Sequence, residues 1–351
     1  MVRALEAIQL RNIQFKNRIV RSATLDNFGN LDGTVSEREL ELYETLASNN
    51  ISLIITGQTY VTPVGKVALE ENAINDDRFI NSHKKLVDTA HKAGAKIIPQ
   101  LNHCGAKSSV EGLAVVAPSP IPATGYKVIP QELSLPEIEE IIEQFVQAAV
   151  RAKKAGYDGI QIHAAHSYLL SSFINPVFNK RNDEYGGSIE NRFRMTEKII
   201  KGINKELGKT YPVFMKINSN IEENDEVYYQ DLIYIAQKCK ELGVEAIEYS
   251  GYNYTPLGLK RLRNYYLERV SAIRKEVDIP AILIGGIRSF ADMDRVLDSG
   301  IDMVSLARPF ICEPDLITKL IAGQEEAKCT NCSQCFGLYN KEGRWCIFHD
   351  K

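Results

Sequence analysis

The stretch Gly156-Tyr-Asp-Gly-Ile-Gln-Ile-His-Ala-Ala-His-Ser-Tyr-Leu-Leu (156–170) runs from a β-branched segment straight into His163, His166 and Tyr168. Two imidazoles so close in sequence can both donate an N–H to one carbonyl oxygen and stabilise negative charge developing there. A phenol, with a pKa of ~10, suits delivery of a proton to a strongly basic carbanion. Paired histidines in a loop also serve as structural hydrogen-bonders or metal ligands, and spacing alone leaves those readings level. No third ligand stands nearby, which weakens the metal reading.

Two later segments point to an anion. Leu283-Ile-Gly-Gly-Ile-Arg-Ser (283–289) and Val304-Ser-Leu-Ala-Arg-Pro-Phe (304–310) place Gly285, Gly286, Ala307 and Arg308 after short apolar runs. Glycine lets backbone N–H groups approach a phosphate closely, and Arg308 adds a fixed charge. Most Gly-Gly pairs are simple turns; two such loops after the last two strands of a barrel favour a phosphate, from FMN or from a sugar phosphate. Lys216, at the end of another apolar run, has three readings: a cation beside a flavin pyrimidine, a neutral amine forming a Schiff base, or an ion-paired structural lysine.

These groups need a frame that brings several strand ends together. Eight short apolar segments alternate with longer amphipathic ones. The strands read as Ile19–Arg21, Ile51–Thr56, Lys96–Leu101, Gly159–His163, Val213–Ile217, Ala246–Ser250, Ala281–Gly285 and Met303–Ala307. Helices read as Glu37–Ser48, Phe79–Ala93, Leu135–Ala155, Ile189–Leu207, Val227–Leu242, Arg261–Val277, Phe290–Asp298 and Asp315–Ile321. The pattern predicts an α/β fold, a (β/α)8 TIM barrel over residues 1–323, with a short Cys-rich C-terminal tail over 324–351. Sites in this architecture lie at the C-terminal strand ends, where Gln100, His163, Lys216, Gly285 and Arg308 fall. The loop 105–131 is long enough to cover such a site.

The chain has 351 residues, 44% of them hydrophobic, and a formal charge of −3. No basic field is available to gather nucleic acid or anionic lipid. The N-terminal segment lacks the apolar run of a signal peptide, and no stretch approaches ~18 uninterrupted apolar residues. The expectation is a cytoplasmic protein acting on a small molecule, without a membrane or nucleic-acid partner, and capable of forming homo-oligomers.

Four strings together resemble the old yellow enzyme family of FMN-dependent ene-reductases. They are Lys16-Asn-Arg-Ile-Val-Arg-Ser-Ala-Thr (16–24), Gln100-Leu-Asn-His-Cys-Gly (100–105), Ile162-His-Ala-Ala-His-Ser-Tyr-Leu-Leu (162–170) and Asn179-Lys-Arg-Asn-Asp-Glu-Tyr-Gly-Gly-Ser-Ile-Glu-Asn-Arg (179–192). The resemblance spans nearly the whole barrel. It implies that Ser22, Ala23, Thr24 and Gln58 lie near the flavin ring, that Gln100 meets the pyrimidine amide edge, and that Lys216 stands beside N1 and O2. Gly285, Gly286, Ala307 and Arg308 match phosphate-binding positions. His163 and His166 match the pair that holds the substrate's activating oxygen, and Tyr168 matches the proton donor. The implied activity is reduction of an activated C=C bond in an enone, enal or enoate, with NADH or NADPH as electron donor. Leu25 departs from the pattern, since many relatives place Thr or Cys there, and the comparison implies that a polar contact tuning the flavin potential is missing.

Of seven cysteines, Cys104, Cys239 and Cys312 stand apart, whereas Cys329, Cys332, Cys335 and Cys346 crowd the tail. Four thiolates in C-x2-C-x2-C…C order can close on a 4Fe-4S cluster or on zinc, or remain free. The tail is similar to that of the dienoyl-CoA reductase and trimethylamine dehydrogenase branch, where a cluster passes single electrons to FMN. As the sequence ends at Lys351, that likeness implies a separate electron-donor protein and admits an oxidative amine demethylase. From other classes, a flavin-free aldolase using Lys216 and a non-catalytic binding barrel stand as alternatives.

Overall fold

Alternation along the strands separates two apolar cores, and this decides where polar groups can meet. The computed structural model describes residues 2–221, 225–336, 339–340 and 343–348. Its centre is a closed barrel of eight strands: β1 (Ile19–Arg21), β2 (Leu53–Tyr60), β3 (Lys96–Asn102), β4 (Ile160–Ala164), β5 (Val213–Asn218), β6 (Ala246–Ser250), β7 (Ala281–Ile284) and β8 (Met303–Leu306). Each strand pairs in parallel with the next, and β8 closes on β1 with Val304 opposite Ile19. The outer ring comprises α1 (Glu37–Ser48), α2 (Ile80–Lys92), α3 (Leu135–Ala155), α4 (Ile189–Leu207), α5 (Asp225–Leu242), α6 (Leu267–Glu276), α7 (Phe290–Asp298) and α8 (Leu316–Ile321).

Ile19, Ile54, Ile97, Ile162 and Met215 point outward into the core shared with the helices. Val20, Leu53, Ile55, Ile98, Phe214, Ala246, Ile282 and Met303 point inward and fill the lower barrel. A hairpin pairing Ile8–Gln9 with Gln14–Phe15 supplies Leu10, Ile13 and Phe15 to that inner core as a plug. With a period of two, the next inward positions along the strands are Ser22, Gln100, Lys216, Glu248 and Ser305. Apolar layers close the bottom, and polar side chains occupy the top.

Helix ends are set locally. In α3 the backbone N–H of Ser134 donates to Glu137 at 2.8 Å, a capping box, and Gly156 ends the helix at φ 96°, where a Cβ would be strained. Differences from the sequence reading have physical causes. β2 runs on to Tyr60 because a bulge between Ile55 and Gln58 keeps it paired with β3. The helix expected at Arg261–Val277 starts only at Leu267, since Arg261 and Asn264 take left-handed conformations, φ 53° and 47°, in the preceding turn. Short helices at Leu169–Ile174, Tyr254–Leu259 and Arg308–Cys312 were not anticipated; every residue of the first is buried, so it shows no amphipathic period. No helix among the described residues is long and apolar enough to cross a membrane. In the tail, Tyr339–Asn340 pairs antiparallel with Gly343–Arg344; parts of the 324–351 segment lie outside the described residues.

Candidate active site

The strand ends open into a cavity of about 640 Å³, inside the ~300–1,000 Å³ range of small-molecule and cofactor sites. Its floor is a buried polar network. Lys216 Nζ, on β5, lies 3.3 Å from Glu248 Oε2 on β6 and donates to Ser22 Oγ at 2.7 Å. Glu248 also accepts from Ser22 and Ser305 at 2.7 Å and from Gln161 at 2.9 Å, and Gln161 Oε1 accepts from Gln100 at 2.7 Å. Burial alone would raise the Glu248 carboxyl. The Lys216 ammonium and the donors from Ser305, Ser22 and Gln161 outweigh it and hold it below the usual range. Burial in turn lowers Lys216, against the pull of Glu248.

His163, at the end of β4, packs edge-on against His166 at 5.3 Å and against Tyr168 at 4.9 Å between ring centroids. The backbone N–H of Ala165 donates to His163 Nδ1 at 3.4 Å, which leaves Nε2 as the protonated, donating nitrogen. His166 is oriented by Ser250 Oγ, 2.9 Å from its Nε2, and by Asn218 Oδ1, which accepts from its backbone N–H at 3.1 Å. His166 and Ser167 hold left-handed φ values of 60° and 58°, a strained turn that points the rings into the cavity. Burial, and then neighbouring positive charge, keeps both imidazoles well below their usual pKa, so they are neutral donors. Burial pushes the Tyr168 phenol well above its usual value, with the adjacent Gln58 side chain opposing the shift.

The cavity wall brings together His163, His166 and Tyr168 with Ala23, Thr24 and Gln58. It also includes Gln100, Lys216, Gly285, Gly286, Ala307 and Arg308. Ser22 is placed differently: it is fully buried behind the wall, bridging Lys216 and Glu248. Leu25 is on the wall. The bulge in β2 brings Gln58 opposite Gln100, and Gln58 Nε2 is buried without a partner among the described residues. Gly285 and Gly286 have φ 134° and 72°; a Cβ would come within 2.6 Å of Tyr265 and 2.7 Å of the Leu262 carbonyl. Glycine is needed there to keep a cradle open. Arg308 donates to Ser333 Oγ at 2.9 Å and to Tyr265 Oη at 3.0 Å.

Several site residues escaped the sequence reading. Glu248 lies two positions beyond inward-facing Ala246, a parity signal that was available; Gln161 and Ser305 follow the same rule. Lys107 and Tyr126, from the 105–131 loop, also line the cavity, as does Tyr254. Lys107 lies over the rings of Tyr168 at 5.6 Å and Tyr126 at 5.9 Å. The 179–192 string lies outside the cavity wall: Asn179 donates to the Phe173 and Tyr185 carbonyls, and Arg192 pairs with buried Asp231 at 2.7 Å. It clamps the segment that follows Tyr168.

Cys329, Cys332, Cys335 and Cys346 line one small recess beside Arg308, and Cys312, which the sequence set apart, hydrogen-bonds with Cys346. Among the described residues no group of three or more His, Cys, Asp or Glu side chains is arranged to hold a metal ion.

The model of the NADH:flavin oxidoreductase / NADH oxidase family matches residues 5–327. An NADH oxidase of Thermoanaerobacter brockii is 34% identical over 342 residues, covering 94% of this chain and 52% of the relative. A 2-naphthoyl-CoA reductase in complex with 2-naphthoyl-CoA superimposes with a TM-score of 0.88 at 27% identity, over 95% of this chain and 55% of that one. The old yellow enzyme homologue of Zymomonas mobilis gives 0.79 at 26% identity, over 94% and 96%. The chain thus spans about half the length of the first two. Barrel, cavity and matched sequence agree that this protein belongs to the old yellow enzyme family, the NADH:flavin oxidoreductase / NADH oxidase family.

Proposed function

We propose that the protein holds FMN in this cavity and reduces an activated C=C bond of an enone, enal or enoate at the expense of NADH or NADPH. The observation that carries this reading is the meeting of His163, His166 and Tyr168 on one wall of a cavity whose floor is the Lys216–Glu248 network. The residues fit the cofactor: Gly285 and Gly286 keep a cradle that a Cβ would fill, Gln58 Nε2 awaits an acceptor, and Arg308 supplies charge for a phosphate. Gln100, Thr24 and Ala23 would line the ring, and Lys216 would face its pyrimidine.

FMN held by these residues would supply the hydride chemistry for the β-carbon. The chain does the rest. His163 donates Nε2–H toward the substrate's carbonyl oxygen, and neutral His166 stands beside it; together they polarise the conjugated system, since an unactivated alkene has nowhere to place charge. Tyr168 keeps its proton until a strongly basic α-carbon is present, then delivers it. The similar 2-naphthoyl-CoA reductase is named for a conjugated acyl thioester, which supports the electron-poor alkene class rather than that compound.

Anaerobic stopped-flow tests this. In Tyr168→Phe, flavin reduction by the nicotinamide should keep its rate while re-oxidation by an enone slows by roughly 10²–10⁴-fold. Equal re-oxidation rates in variant and parent would defeat the assignment.

A second reading, a cluster-bearing flavoenzyme fed by an external electron carrier, is favoured by one observation, the four tail cysteines around a single recess. Broad visible absorbance persisting after flavin removal would support it; zinc release on thiol modification would point to the structural metal instead. The aldolase reading is disfavoured by Lys216, which is ion-paired to Glu248 rather than a free amine.

A further inference from the structure

The Cys-rich tail folds back onto the cavity. Asn331 and Phe336 share its wall with His163, His166 and Tyr168. Phe336 meets Tyr254 at 5.6 Å between centroids, with planes inclined at 45°. Tyr254 meets His166 edge-on at 5.6 Å and 66°, and His166 meets His163 at 5.3 Å. An unbroken row of rings therefore joins the tail to the groups assigned to the substrate's oxygen.

This row is anchored at its outer end. Arg308 donates through Nη1 to the Asn331 carbonyl at 3.3 Å and to Ser333 Oγ at 2.9 Å, fixing the segment just before Phe336. Asn331 and Ser333 both take left-handed φ of 59°, so the segment follows one specific path. Gly258 ends the contact from the other side: a Cβ there would stand 2.6 Å from Arg308 Nη1 and 3.2 Å from the Asn331 carbonyl. The short helix bearing Tyr254 and the tail bearing Phe336 are thus in backbone-limited contact. Phe336 keeps 38% of its surface exposed and contributes to the cavity wall.

Resting on the proposed alkene reduction, we propose that Phe336 and Tyr254 form a specificity wall for unsaturated substrates whose double bond carries a planar aromatic or conjugated substituent. The histidines fix the carbonyl end of such a molecule, and the substituent then extends along the ring row toward the tail. Offset and edge-to-face ring contacts reward a flat π-substituent over an alkyl group of similar length. The tail would set substrate choice through the position of Phe336.

The test compares benzylideneacetone with 3-nonen-2-one, two enones that differ in an aryl against a pentyl substituent, on FMN-loaded protein. The readout is the ratio of their kcat/KM values. Phe336→Ala should lower the aryl-to-alkyl ratio about tenfold through KM for the aryl substrate, Phe336→Leu should lower it nearly as much, and Phe336→Tyr should restore it. A ratio within twofold of the parent in both Ala and Leu variants, or equal losses on both substrates, overturns the proposal. If Phe336→Ala fails to fold, the Leu and Tyr variants decide. If the parent turns over neither enone, equilibrium titration with benzylideneacetone, followed by flavin absorbance, is read in its place: tenfold weaker binding in Phe336→Leu keeps the wall while the reductase reading falls, and unchanged binding removes the wall.

Discussion

Lys216 and Glu248, on adjacent strands β5 and β6, face each other at 3.3 Å with both side chains closed off from solvent. Removing one partner of a buried pair strands the other charge, at a cost of ~3–5 kcal/mol, whereas removing both can be nearly neutral. Lys216→Met should therefore destabilise the apoprotein by about that amount. Lys216→Met with Glu248→Gln should recover more than half of it. Chemical denaturation of the two single variants, the double variant and the parent measures the coupling; simple additivity would mean the pair is not held as described.

The imidazoles and the phenol predict a flat pH profile. His163 and His166 are depressed by burial and remain neutral through the neutral range, and Tyr168 is raised by burial and remains protonated. None of the three changes charge between about pH 6.5 and 9, taking the ordinary values of ~6.5 and ~10 as the bounds these shifts move outward. The rate of flavin re-oxidation by an enone should vary less than threefold over that window in stopped-flow. A sigmoidal step near pH 6.5 would show a histidine titrating in the site.

Glu71 gives a stability signature of the opposite kind. Its Oε2 accepts from the Val67 N–H at 2.6 Å and anchors a loop on the cavity wall, and burial pushes its carboxyl up to about 8. Between its unfolded value near 4.3 and its folded value near 8, the native state holds a proton that the unfolded state has lost. Stability is therefore full at low pH and falls as pH rises through that window, by up to ~1.4 kcal/mol per pH unit from this group. Glu71→Gln should flatten the decline of Tm between pH 5 and 8, as followed by thermal unfolding. An unchanged slope would place the protonation elsewhere.

Gly286 offers a test of the phosphate cradle. With φ 72° and only 2.7 Å between a would-be Cβ and the Leu262 carbonyl, Gly286→Ala forces the backbone of the cradle to shift. FMN affinity, measured by fluorescence on titrating apoprotein, should weaken at least tenfold, or about 1.4 kcal/mol. Far-UV circular dichroism should stay that of the parent. Full affinity in the alanine variant would move the phosphate to another part of the wall.

How much of this was legible in the chain depends on the range of the interactions involved. The eight strands, most of the helices, and the grouping of His163, His166 and Tyr168 near a strand end follow from local periodicity and spacing, because hydrophobic alternation and capping are written in neighbouring residues. Parity along each strand even encodes the inward direction of Glu248 and Gln161, although without a closed barrel nothing says that they touch. The family resemblance put Gln58 beside the site, but only the tertiary structure shows why it rather than Gly57 joins the inner face: one extra residue in β2 shifts the pleat. Tertiary structure alone decided that Ser22 sits behind the wall, that His166 is braced by Ser250, and that Phe336, far along the chain from His166, stands in the same row of rings. Contacts of that kind are set by barrel closure and loop packing, which join segments hundreds of residues apart, and no local pattern records them.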